Sequence, residues 1–136
     1  MGSPALTVFD THAWVWWVND PRSLSLVARR AAEQAKSTTG IHISSISAWE
    51  VALLVAKGRL QLTMEVERWV RKSEALPFLH FVPVDNAIAL RSVVLQGFPH
   101  ADPCDRIIVA TVQSLGATLI TKDETIRNYP HVQTLW

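Results

Sequence analysis

Residues Ala101–Ile126 read ADPCDRIIVATVQSLGATLITKDETI, and the rest of the chain is understood from them. Asp102-Pro103 predicts a helix start: an Asp side chain can accept from the first free backbone N–H groups, and Pro suits the first helical position. Apolar residues then run from Ile107 to Leu115, and Gly116 predicts the stop. Ala117–Thr121 is a short buried-strand pattern, with Asp123 just beyond its carboxyl end. Helix, strand and carboxylate therefore arrive as one unit, with Asp105 near the helix's first turn. In an open α/β sheet, ligands bind at the carboxyl ends of the strands.

The flanking sequence repeats the pattern. Ala5–Phe9 is an apolar run ending at Asp10 and reads as a buried first strand. Thr11–Val18, carrying Trp14, Trp16 and Trp17, reads as a helix broken at Asp20-Pro21. Ser25–Lys36 predicts a second helix with Leu26, Ala28, Ala31, Ala32 and Ala35 turned inward. Ile41–Ser44 is a second strand. Ser47 and Glu50 stand in capping-box register for a helix through Ala56. Met64–Leu76 is an amphipathic helix, and His80–Val84 is a third strand whose Pro83 favours a sheet edge. Asp85 caps a helix through Leu95, Thr125–Asn128 gives a short helix, and Val132–Trp136 a last strand. Strands separated by helices predict parallel pairing through right-handed crossovers. The expected architecture is a three-layer α/β/α sandwich around a parallel sheet of about five strands, in one domain over residues 1–136.

Composition narrows the functional classes. A chain of 136 residues that is 49% hydrophobic and 18% charged suits a packed globule, not a disordered segment. A formal charge of +1 gives no global steering toward nucleic acid, so any such site needs a local basic rim. The lone cysteine, Cys104, excludes an internal disulfide and a cysteine-rich zinc site. No signal peptide or membrane span is visible, and a soluble cytoplasmic protein is expected.

Four acids stand apart from other charges. Asp10 is the only Asp, Glu, Lys or Arg between Met1 and Asn19, and Glu50 is the only one between Ile41 and Ala56. Asp105 starts a helix with no charge after Arg106 until Lys122, and Asp123 follows a buried-type strand. A carboxylate taken out of water without a partner costs several kcal/mol. Each could serve only as a helix cap, a capping-box partner or a turn residue. One pocket holding a hard divalent cation, Mg²⁺ or Mn²⁺, accounts for all four together. Asp102 is the reverse case and reads as a structural cap. His12 and His100 fit poorly as ligands of so hard an ion.

The order VFDTHAWVWW, SISAWEVALLVAKGRL and DPCDRIIVATVQSLGATLITKDETI resembles the PIN-domain family across essentially the whole chain. More narrowly, it is similar to the VapC-like ribonuclease toxins of type II toxin–antitoxin pairs. The resemblance implies a metal-dependent endoribonuclease whose acidic quartet falls on Asp10, Glu50, Asp105 and Asp123, with Asp10 and Asp105 as direct ligands. Thr121 matches the small hydroxyl residue that helps orient the family's site. Cys104 departs from the aromatic or alanine of relatives, a change in packing more than in chemistry. Arg106, Lys122, Arg22 and His100 lie beside the acids in sequence and are the candidate RNA contacts. A cognate antitoxin and a homodimer are the implied protein partners. The tryptophans divide between core packing, a protein interface and base stacking. An aspartyl-nucleophile phosphatase is a competing enzyme reading, but it wants a second acid where His12 stands. A non-catalytic PIN-like binding module is the other alternative.

Overall fold

A computed structural model of the chain describes residues 5–136. The elements follow in the order β1 (Thr7–Phe9), α1 (Thr11–Asn19), α2 (Leu26–Lys36), β2 (Ile41–Ser44), α3 (Ser45–Ala56), α4 (Val66–Glu74) and β3 (Leu79–Val82). They continue as α5 (Asn86–Val93), α6 (Pro103–Leu115), β4 (Thr118–Ile120), α7 (Glu124–Arg127) and β5 (Gln133–Leu135). The five strands form one sheet in the order β3-β2-β1-β4-β5, and every pairing is parallel. The chain builds outward from β1 through β2 to β3, then returns across the sheet to β4 and β5. The order therefore reverses between β1 and β4, where parallel α/β sheets open a crevice.

Helices on both faces explain why the central strands are apolar in continuous runs. Phe9 and Ile120 pack toward one face and Val8 and Leu119 toward the other, and all four are 0% exposed. The first face joins Phe9, Ile41, Ile43 and Ile120 to Trp14 of α1, Val51 of α3 and Trp69 of α4. The second joins Val8 and Leu119 to Ile88 of α5, Ile108 and Val109 of α6, and Ile126 of α7. Full burial of each such side chain stabilises by roughly 1.5–3 kcal/mol. Trp14 fills its place completely, and its indole N–H donates to the Ser73 hydroxyl at 3.1 Å.

The expected parallel sheet with helices on both faces is the observed one, including the edge position of β3 next to Pro83. Three local expectations are corrected. Ser47 does not cap α3. Strand β2 runs straight into the helix, so Ser44 serves as the cap, its Oγ accepting from the Ile46 N–H at 3.2 Å. Ser47 is instead buried in the first turn and accepts from the Thr11 hydroxyl at 2.9 Å, tying α1 to α3. Leu26 is 54% exposed, because the inner stripe of α2 is Ala28, Ala32 and Ala35 and Leu26 lies off it. Several strands are also shorter than the apolar runs that announce them, since only part of each run pairs with a neighbour.

Two glycines make the turns that set the strands. Gly116 closes α6 at φ 61°, and Gly40 leads into β2 at φ 82°. A Cβ at Gly116 would meet open space, whereas at Gly40 it would sit 2.6 Å from the His80 ring. Gly116→Ala is expected to lose about 1–2 kcal/mol from the left-handed backbone alone. Gly40→Ala should lose more, and adding His80→Ala should recover part of the excess, leaving the backbone cost and the 3.1 Å approach to the Phe78 carbonyl. Urea unfolding of the three variants measures this.

Candidate active site

Asp10, Asp105 and Asp123 each stand at the first turn of a helix, where backbone N–H groups are unsatisfied. Asp10 ends β1 and caps α1, its Oδ1 accepting from the Ala13 N–H at 2.8 Å. Asp123 follows β4 and caps α7, its Oδ1 accepting from the Ile126 N–H at 2.9 Å. Asp105 is the third residue of α6, whose cap is Asp102; the Asp102 Oδ1 accepts from the N–H groups of Cys104 at 2.7 Å and Asp105 at 3.3 Å. Asp10 and Asp123 are thus helix caps, whereas Asp105 lies in a first turn capped by Asp102. A cap uses one oxygen lone pair and leaves the others for a ligand.

Thr121 joins two of the acids. Its hydroxyl, 0% exposed, donates to the Asp10 Oδ2 at 2.5 Å and accepts from the Asp123 N–H at 3.1 Å. The bond spans 111 residues of sequence and is possible because Phe9 and Ile120 are register partners on adjacent strands. Glu50, from the second turn of α3, completes the set. Asp10, Glu50, Asp105 and Asp123 line one cleft of about 540 Å³ together with Thr11, His12, Trp16, Ile108 and Lys122. A cavity of about 620 Å³ between α5, α6 and β5 contains none of the four.

The tightest group of donors has a member that sequence reasoning placed among the RNA contacts. His100 Nε2 lies 3.4 Å from the Asp123 Oδ1 and 4.0 Å from the Asp105 Oδ2. One donor atom from each of the three residues lies within 4.8 Å of the others. Asp10 and Glu50 are not part of this trio, but line the same cleft as Asp105 and Asp123. The chain from Pro99 to Asp102 precedes α6, and the edge of the Phe98 ring against the imidazole positions it.

The other basic candidates separate. Lys122 reaches the cleft, with its Nζ 5.8 Å from the centre of the Trp16 ring. Arg106 is turned inward. It donates to the carbonyls of Ser92 at 3.0 Å and Phe98 at 3.5 Å, locking α5 and the following loop to α6. Arg22 is 91% exposed beyond the far end of α1, lies 3.7 Å from Asp20, and is not among the cleft residues. Sequence reasoning missed His12 and Trp16 as cleft residues. Their spacing of four puts them on one face of α1, starting just after Asp10, and that was the available signal.

Electrostatics make the cleft short of positive charge. Among the described residues no lysine or arginine lies within ion-pairing distance of any of the four acids; His100 alone does. Burial holds the Asp10 carboxyl above the usual range, against the bonds from Thr121 and Ala13, and Glu50 adds to the rise. Burial likewise pushes Asp105 up to about 7, with Asp102, Glu50 and Asp123 adding repulsion and His100 opposing it. The Cys104 thiol is pushed up to about 12, first by burial and then by Glu50, so it stays protonated and packs as an apolar residue. Hard oxygen donors with unbalanced negative charge fit a divalent cation of the Mg²⁺ or Mn²⁺ type.

The PIN domain family pattern matches residues 7–132. The chain belongs to the PIN domain family. Among PIN domain proteins it is 31% identical over 131 residues to Ribonuclease VapC22 of Mycobacterium tuberculosis, covering 95% of this chain and 97% of the relative. Its fold is similar to that in a toxin–antitoxin complex from Klebsiella pneumoniae, with 26% identity, a TM-score of 0.65, and 93% and 94% of the two chains covered. VapBC2 from Rickettsia felis, bound to a DNA fragment from its promoter, shares the fold at a TM-score of 0.69. There the identity is 18%, over 96% of this chain and 97% of the other. This PIN domain has no helix long and apolar enough to cross a membrane among its described residues.

The raised Asp105 has a measurable sign. Between the ordinary value of 3.8 and about 7 the folded protein holds a proton that the unfolded chain releases. In metal-free buffer the Asp105 contribution to stability should therefore fall as pH rises through that window. Asp105→Asn should flatten the slope of unfolding free energy against pH, and chelator-treated urea titrations at successive pH values test it.

Proposed function

We propose that this PIN domain is a metal-dependent endoribonuclease, the toxin member of a toxin–antitoxin pair, acting on RNA and restrained by a cognate antitoxin. The observation that carries the reading is the meeting of Asp10, Glu50, Asp105 and Asp123 on one cleft at the reversal of strand order. The ribonuclease name of its curated relative points the same way.

The reaction is phosphodiester hydrolysis, with in-line attack releasing a 3′-hydroxyl and leaving a 5′-phosphate. When bound, Mg²⁺, or Mn²⁺ in its place, would supply charge neutralisation at the phosphate and a nucleophile at neutral pH. Asp10 and Asp105 would hold it, with Glu50 and Asp123 completing the site. Thr121 fixes the plane of the Asp10 carboxylate by donating to one oxygen while Ala13 donates to the other. Asp105 and Asp123 also face His100, whose Nε2 is within hydrogen-bond reach of Asp123 and can donate instead to a phosphate oxygen. Lys122 is the cleft's lysine, placed to contact a neighbouring phosphate. Phosphate contacts of this kind position the strand without reading its sequence.

A homodimer belongs to the same proposal. The outer side of α5 exposes Leu90, Val93 and Val94, at 71%, 75% and 76%. An apolar strip of that kind is surface that association would cover.

Asp10→Asn should abolish Mg²⁺-dependent cleavage of RNA while the far-UV spectrum and unfolding midpoint stay near those of the parent. Cleavage at the parental rate would sink the scheme. Thr121→Val should slow cleavage by about 10- to 100-fold, the usual effect of losing a group that holds a ligand in place. Single-turnover assays with excess protein read both.

A further inference from the structure

We propose that Trp16 is the platform on which a base of single-stranded RNA stacks while the adjoining phosphate lies among the acids of the cleft. The proposal rests on the ribonuclease reading and adds what holds the substrate there.

Ala13 and Trp14 are 0% exposed and Val15 is 5% exposed, so these consecutive residues give α1 its buried side. Trp16 instead lies four residues after His12, on the side that borders the cleft, and its ring is half-buried there beside Asp10 and Glu50. Among the cleft residues, which include His12, Ile108 and Lys122 beside the four carboxylates, Trp16 carries the largest apolar side chain.

Three side chains from separate parts of the chain surround the indole. Trp136, after β5, lies 5.8 Å away at 56°, and His12 lies 5.7 Å away at 47°. Lys122, from the turn after β4, places its Nζ 5.8 Å from the ring centre. A ring held this way loses little rotamer freedom on binding, which removes part of the usual cost of association.

RNA brings phosphates into a cleft with four carboxylates and Lys122. Arg106 spends its N–H groups on backbone carbonyls, and Arg22 lies away from the cleft beside Asp20. The whole chain carries only +1. Each phosphate–cation contact to a single strand contributes a salt slope of about −0.7, and this cleft offers few. Stacking of a base on an aromatic side chain gives about 1–3 kcal/mol and carries no charge. It also requires a base free of its neighbours, which selects single-stranded or looped RNA over duplex.

The test uses the full chain as the cleavage-inactive Asp10→Asn protein, with short single-stranded oligoribonucleotides carrying 2-aminopurine at successive positions. At one position the fluorescence should be quenched on binding. Trp16→Ala in that background should remove the quenching and weaken binding by about 5- to 100-fold, whereas Trp16→Phe should retain most of both. The binding constant should depend weakly on salt, and Trp16→Ala should leave that slope unchanged. Quenching that survives Trp16→Ala, or a Trp16→Ala protein that is less stable but binds as tightly, would overturn the proposal and leave Trp16 as packing for Trp136. The ribonuclease reading is judged separately, by whether the parent protein cuts RNA with Mg²⁺ present.

Discussion

The hydrogen bond from the Thr121 hydroxyl to Asp10 joins the ends of the two central strands and sets the geometry of the cleft. It depends on parallel register, which brings Phe9 beside Ile120 and so carries the next residues of both strands to the same edge. The same hydroxyl accepts from the Asp123 backbone, so one side chain of zero exposure positions two acids. The core on either side of the sheet keeps the two strands from shifting. A one-residue slip would turn Phe9 and Ile120 onto the wrong face and separate the acids at once.

The site reuses helix ends. Asp10, Asp105 and Asp123 all lie in first turns, where free N–H groups and the helix dipole favour a negative charge. That support is local, and it does not remove the repulsion created when the three meet each other and Glu50. The balance falls toward protonation at Asp10 and Asp105, since burial outweighs the bonds that favour the charged form. A bound cation of matching hardness would reverse that balance.

The positive charges of the chain answer other demands. Arg106 sits next to Asp105 in sequence, yet its long side chain turns back to satisfy two carbonyls at the end of α5 and in the loop beyond it. A guanidinium carries five donors, and a buried carbonyl without a partner is costly, so the structural use prevails. His100 does the opposite. It is remote from Asp123 in sequence, yet its Nε2 lies 3.4 Å from the Asp123 Oδ1.

Much was legible from the chain alone because it depends on local physics. The helix from Asp102-Pro103 to Gly116, the apolar strands, the edge placement of the strand before Pro83 and the isolation of four acids from other charges all follow from neighbouring residues. So does the parallel sandwich, since strands alternating with helices leave few other ways to bury both faces of a sheet. Partnerships across 36 and 111 residues were not legible, as Thr11 with Ser47 and Thr121 with Asp10 demonstrate. Nor were the inward turn of Arg106, the place of His100 between two acids and the exposure of Leu26. Spacing along a chain fixes which face of an element a residue occupies; which atoms meet there is decided only when the elements pack.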